Sequence, residues 1–161
     1  MAKAAVLEGR WAQALPYFTT ERRGSPVLAF SRVDDFPIST KSFIYNPDMV
    51  VVTNPTGMKF VDVSEGIKNG GTILVNTSMP PKDFKFDSGI AVRSIDATEI
   101  ATAILKTPIT NTVMLGALLG VKEIVKLRSI QDAIREEFPG EIGKKNNEAV
   151  KLAYDKVKEA I

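Results

Sequence analysis

The sequence is 161 residues long, with 44% hydrophobic residues and 21 Lys plus Arg against 19 Asp plus Glu, a net charge of +2. That length suits one domain burying about 70% of its unfolded surface, and the balance excludes a disordered polymer and any general electrostatic pull toward nucleic acid or an anionic membrane. There is no cysteine and no histidine, which excludes disulfides, thiolate nucleophiles, Cys-ligated zinc or iron–sulfur clusters, and Ser-His-Asp or Cys-His catalysis within the chain.

Residues 2–8 (AKAAVLE) predict a helix stopped at Gly9, and it begins directly after Met1 without a capping Ser, Thr, Asp or Asn. Residues 11–26 mix aromatics with Pro16, Gly24 and Pro26 and predict a short strand followed by a loop. Val27–Val33 predicts a strand closing on the turn Asp34-Asp35, with Ile38–Ile44 as a returning antiparallel arm. The run MVVVT (Met49–Thr53) lacks alternation, as a strand buried on both faces does. Val61–Asn69 predicts a short helix capped by Asp62 or Ser64 and stopped at Gly70-Gly71. Thr72–Asn76 and Ile90–Ile95 predict two further strands, separated by a loop through Pro80-Pro81 to Phe86.

From Asp96 the pattern turns helical. Asp96 caps a helix spaced by Ile100, Ala103 and Ile104 and ended by Pro108; Asn111–Leu119 is a nearly all-apolar, buried helix whose Gly116 and Gly120 suit close helix packing. Ser129 with Asp132 resembles a capping box for a helix burying Ile130, Ala133, Ile134 and Phe138 and stopping at Pro139-Gly140. The last helix, about 144–161, places Val150, Ala153, Tyr154, Val157 and Ile161 on one face. No apolar run reaches the roughly 18–20 residues of a membrane span, no signal peptide opens the chain, and no internal repeat divides it. A single soluble, cytoplasmic domain over 1–161 is expected, with an α/β layer and a helical C-terminal half.

The densest polar cluster is Thr19-Thr20-Glu21-Arg22-Arg23-Gly24-Ser25-Pro26. Two adjacent guanidiniums suit a phosphate or carboxylate, Gly24 permits close backbone approach, and the hydroxyls add donors; a surface loop with Glu21 paired to one Arg is the plainer alternative. Neither GxGxxG nor GxxxxGK[ST] occurs, and Gly70-Gly71 follows a helix instead of a strand, the wrong order for a phosphate-binding turn. Asp34-Asp35 and Glu136-Glu137 are adjacent pairs whose members point apart, so they fit a turn and a solvated face better than acid–base chemistry. Lys144-Lys145-Asn146-Asn147 opens the last helix as a solubilising cap or a partner contact, and Trp11, Tyr17 and Phe18 near the Arg loop are core or interface aromatics.

The run QALPYFTTERRGSPVLAF (Gln13–Phe30), then Arg32, Pro37-Ile38 and IYNPD (Ile44–Asp48) before MVVVTNP, resembles the γ subunit of 2-oxoacid:ferredoxin oxidoreductases. Asp62-Val63-Ser64-Glu65-Gly66, Ile109-Thr110-Asn111-Thr112 leading into MLGAL, and Lys145-Asn146, Ala149 and Ala153-Tyr154 agree in order, so the resemblance spans about Ala4 to Tyr154. It implies a three-layer α/β/α fold with a mixed sheet, and a subunit without catalytic residues of its own. The complex would convert a 2-oxoacid, pyruvate first among them, plus coenzyme A to acyl-CoA, CO2 and reduced ferredoxin. Thiamine diphosphate, Mg and [4Fe-4S] clusters would sit on partner chains of α, β and δ type. The loop Glu21, Arg22, Arg23 and Gly24 would face coenzyme A or a partner subunit, with no metal site, nucleic acid or membrane involved. Relatives usually begin with a strand and a G-x-G-G-Q-G turn before the Ala-rich helix; this sequence starts within that helix, roughly 20 residues later. Thr20 also stands where many relatives carry a small residue such as Gly. The alternatives are a free-standing α/β module for an anionic ligand or protein, and the smaller subunit of an indolepyruvate oxidoreductase.

Overall fold

An Ala-rich helix opens the chain, short apolar runs then form the strands, and longer runs form the helices that follow. The computed structural model describes residues 1–17, 27–87 and 89–160. Helix α1 (Ala2–Leu7) leads into β1 (Trp11–Tyr17) and β2 (Leu28–Asp34), then β3 (Met49–Val52), β4 (Thr72–Asn76) and β5 (Ala91–Ile95). Four helices complete the chain: α2 (Ala97–Leu105), α3 (Asn111–Val121), α4 (Leu127–Glu137) and α5 (Glu141–Glu159). The parallel and antiparallel strands expected of a mixed sheet are both present, divided between two sheets. β1 and β2 form an antiparallel ribbon from Trp11↔Asp34 to Tyr17↔Leu28, while β3-β4-β5 is a parallel sheet.

The parallel strand β4 alternates its burial between two cores. Leu74 faces the helices with Ile95, Ile100, Ala101, Val113, Met114, Ala117, Ala149, Ala153 and Val157. Ile73 and Val75 face the other way with Val52, against Met58, Val63, Ile67, Phe84 and Phe86. A third cluster joins Ala4 and Ala5 of α1 to Leu119, Ile130, Ile134 and Val150, and the ribbon rests on it through Ala12 and Val33.

Helix α3 is buried nearly all round, as its apolar sequence requires. Its two glycines let α5 close on it: a Cβ at Gly116 meets Val150 O at 2.1 Å, and one at Gly120 meets Tyr154 O at 2.7 Å. Asp96 caps α2 as expected, its Oδ1 accepting from Glu99 N at 2.8 Å. Asn76, at the end of β4, is buried and ties three elements together. Its Nδ2 donates to Thr53 O (2.9 Å) and Thr98 Oγ1 (3.0 Å), and its Oδ1 accepts from Ala97 N (2.9 Å).

Several local expectations are corrected. Residues 38–44 form no strand; β2 pairs with β1 instead, and the segment lies against the ribbon through side-chain bonds to its carbonyls. β3 is an edge strand with Val51 36% exposed, so the run is not buried on both faces. α2 ends at Lys106, in the left-handed region at φ 60°, two residues before Pro108. α4 begins at Leu127, which puts Ser129 inside it; the carboxylate of Glu8 accepts from Lys126 N at 2.6 Å, and Asp132 pairs with Arg135. α5 starts at Glu141, three residues early, and Ile161 lies outside the described residues.

The helix expected at 61–69 is a set of turns, although its cap exists: Asp62 Oδ1 accepts from Ser64 N (2.9 Å) and Ser64 Oγ (2.6 Å). Gly66 ends the turn at φ 72°, where a Cβ would sit 2.1 Å from Tyr45 O, so packing overrides the helical start. The Ser64 hydroxyl, with its N–H, holds Asp62 below the usual carboxylate range. This tie stabilises the fold above the ordinary carboxylate pKa and is lost as pH falls through the lowered one. NMR titration of Ser64→Ala is expected to return Asp62 toward the ordinary range; an unmoved titration rules out the hydroxyl as the cause.

Candidate functional site

Glu21, Arg22, Arg23 and Gly24, with Phe18, Thr19, Thr20, Ser25 and Pro26, lie outside the described residues. What is described is the ribbon that carries them. By chain connectivity the segment joins Tyr17 to Val27, immediately beyond the last rung Tyr17↔Leu28. Seven antiparallel residues at about 3.4 Å each set that rung roughly 20 Å along the ribbon from the Trp11↔Asp34 rung.

One face of the ribbon presents Gln13, Leu15 and Tyr17 beside Arg32, Phe30 and Leu28, since alternate residues share a face. The segment after β2 packs on it. Gln13 Nε2 donates to Ile38 O at 3.3 Å, Arg32 Nη1 to Gln13 Oε1 at 3.3 Å, and Arg32 Nη2 to Phe43 O at 3.0 Å. The Phe43 ring meets Tyr17 edge-on at 4.8 Å between centroids and Phe30 at 5.3 Å. At the base, Arg10 bridges Asp35 Oδ1 (2.6 Å) and Ile124 O (2.5 Å), fastening the ribbon to the α3–α4 connection. Sequence reasoning missed Gln13, Arg32 and Phe43 as supports because the spacing of a side chain to a distant carbonyl leaves no pattern.

The other polar candidates resolve into structural parts. Asp34 Oδ1 accepts from Phe36 N and Asp35 pairs with Arg10, as a turn requires. Glu136 and Glu137 approach Lys3 at 3.1 and 3.7 Å on an exposed face. Lys144 pairs with Glu141, and this contact lowers the Glu141 carboxyl and raises the Lys144 ammonium from their ordinary values. Asn146 and Asn147 are not a solubilising cap: both are buried. Asn146 Oδ1 accepts from Thr112 Oγ1 at 2.7 Å, and Asn147 Nδ2 donates to Gln131 O at 3.1 Å, binding α5 to α3 and α4. Trp11 is half exposed and Tyr17 is half buried under Phe43.

A separate cleft of about 300 Å³ opens at the C-terminal ends of β4 and β5, lined by Thr77, Ser78, Ser94, Asp96, Glu99 and Lys156. Two carboxylates against one ammonium make it a poor receptor for a phosphate. Among the described residues no three His, Cys, Asp or Glu side chains gather as metal ligands, and no helix is long and apolar enough to cross a membrane. The chain's donor set does not fit a Cys-ligated iron–sulfur cluster, because the sequence contains no cysteine.

A family model described as pyruvate ferredoxin/flavodoxin oxidoreductase matches residues 1–156. The common γ subunit of the pyruvate/ketoisovalerate oxidoreductases of Thermococcus litoralis is 47% identical, over 97% of this chain and 86% of its own length. The pyruvate synthase subunit PorC of Methanothermobacter thermautotrophicus is 46% identical, over 98% of this chain and 85% of its own. The crystal structure of a pyruvate oxidoreductase subunit from Thermotoga maritima superposes with a TM-score of 0.82 at 35% identity, covering 96% of this chain and 84% of that one.

Proposed function

The chain belongs to the pyruvate ferredoxin/flavodoxin oxidoreductase family as the γ-type subunit of a multi-subunit oxidoreductase, and we propose that its share of the work is to help build the complex and to present Glu21–Gly24 to coenzyme A. In that complex, pyruvate, coenzyme A and oxidised ferredoxin give acetyl-CoA, CO2 and reduced ferredoxin. Thiamine diphosphate, which supplies the carbanion chemistry of decarboxylation, its Mg and the [4Fe-4S] clusters sit on partner chains of α, β and δ type. The zero counts of cysteine and histidine accord with that division of labour. The complex works in the cytoplasm and delivers its electrons to ferredoxin.

The observation that carries this reading is near-end-to-end identity of 46–47% with γ and PorC subunits. For the loop, the reading is supported by the Glu-Arg-Arg-Gly run in the stretch of chain that joins Tyr17 to Val27, since forked guanidinium donors suit phosphate oxygens. Purification of the tagged chain from its native host is expected to bring larger, brown, thiamine-dependent chains in fixed ratio. A colourless chain that purifies alone with a bound ligand would instead make it a free-standing module. Within the assembled complex, replacing both Arg22 and Arg23 by Ala is expected to raise the KM for coenzyme A about tenfold, the scale of one lost charge-assisted hydrogen bond. An unchanged KM with unchanged assembly removes the loop from the site.

A further inference from the structure

We propose that Asn69 is a latent deamidation site: the fold locks its reaction with the Gly70 nitrogen, and conversion of Asn69 records the opening of the turn that ties the three parallel strands together at their starts. Asn69-Gly70 is the one Asn-Gly pair of the sequence. Asparagine is a thermolabile side chain, and a following glycine has no Cβ to hinder attack on it. In the reaction the Gly70 backbone nitrogen bonds to Asn69 Cγ and the bond from Cγ to the side-chain nitrogen breaks. Ammonia leaves, carrying the proton that the backbone nitrogen gave up. Water then opens the five-membered succinimide to aspartate or, at the other carbonyl, to iso-aspartate. Water is the one co-reactant, and Asn69 and Gly70 are both exposed to it.

Geometry holds the first step back. Gly71 N donates to Lys68 O at 2.8 Å across a turn in which Gly70 has φ 79°, the left-handed position that a type II turn gives to glycine. Gly70 N itself donates to Gly89 O at 2.8 Å. The proton of the attacking nitrogen is thereby engaged, and the peptide plane between Asn69 and Gly70 is fixed from both sides, whereas ring closure needs that plane to rotate. The Asn69 side chain is seated as well, its Oδ1 filling the place that a Cβ on Gly89 would occupy. The same few residues join the strand starts. Before β3, Pro47 O accepts from Lys68 N, and Asp48 accepts from Lys68 Nζ and, at its carbonyl, from Thr72 N; at β5, Ala91 N donates to Gly71 O. Iso-aspartate adds a backbone carbon inside this turn, and either product sets a carboxylate against Gly89. A turn that has reacted does not close again in the same form.

The test follows the full chain at mildly alkaline pH below its melting transition, with peptide mapping by mass spectrometry to read asparagine, aspartate and iso-aspartate at position 69. A synthetic peptide of residues 64–74 is the unfolded reference. The folded chain is expected to convert about thirtyfold more slowly than the peptide, the factor that two backbone hydrogen bonds of ordinary net strength give. Equal rates overturn the lock. Gly89→Ala, whose methyl displaces Asn69, is expected to convert several-fold faster than the unaltered chain, and an unaltered rate shows that the Gly70–Gly89 contact is not what holds the turn. Should Gly89→Ala fail to fold, hydrogen exchange at the Gly70 amide of the unaltered chain, in urea below the midpoint, takes its place. Conversion is expected to rise in step with that exchange; conversion that stays flat while the amide opens sinks the proposal.

Discussion

Gly116→Ala is expected to lower the melting temperature of this protein by about 4–8 °C, although alanine is the better helix former. The added methyl would lie 2.1 Å from the Val150 carbonyl oxygen and within 3 Å of two more backbone atoms of α5. Backbone of a packed helix cannot rotate aside as a side chain does, so α3 and α5 must separate. Overpacking of this kind costs about 3 kcal/mol, the propensity gain returns about 1, and the net of about 2 kcal/mol converts to that melting shift for a chain of this size. α3 and α5 share the central core with β4 and α2, so the loss is felt across the molecule. Gly57→Ala is the control, because its Cβ meets nothing within 4 Å and its melting temperature should hold. Calorimetry of both variants decides the matter; equal melting temperatures would mean that the helices tolerate a wider spacing.

Asn76→Leu is expected to cost about 3 kcal/mol, seen as a lowered urea midpoint. The substitution keeps the volume and removes every polar atom, leaving the Thr53 carbonyl and the Ala97 N–H without the partners they have in the native fold. The Ala97 N–H is left buried and unpaired, which costs about 1–3 kcal/mol, and the part-buried Thr53 carbonyl adds a smaller loss. The loss is local before it is global. Asn76 links the end of β3 to the start of α2 across β4, so hydrogen exchange at the Ala97 and Thr98 amides should accelerate. An unchanged midpoint with unchanged exchange would show that water replaces the side chain at no cost.

The candidate site was legible in part. The strands on either side of the Glu21-Arg22-Arg23-Gly24 run were readable from local composition and are present as β1 and β2, while the run itself lies outside the described residues. The supports Gln13, Arg32 and Phe43 were not legible. Each acts on a residue 11 to 26 positions away, through a bond to a carbonyl or a ring contact that no periodicity records.

By itself the sequence determined whatever depends on neighbours along the chain: β4 over Thr72–Asn76, the Asp96 cap of α2, the all-apolar α3 with its Gly116 and Gly120 approach to another helix, and the exclusion of Cys- and His-based chemistry. Tertiary structure decided whatever depends on a distant partner. The cap at Asp62 is followed by a turn in which Gly66, at positive φ, lies against the Tyr45 carbonyl, 21 residues upstream, so closely that no side chain would fit. α4 starts before Ser129 because Glu8 reaches Lys126 from 118 positions away. β3 reads as fully buried yet lies at a sheet edge, and residues 38–44 brace the ribbon instead of extending it. Propensity and capping differ between alternatives by about 1 kcal/mol, and a single backbone clash or cross-chain hydrogen bond is worth as much or more.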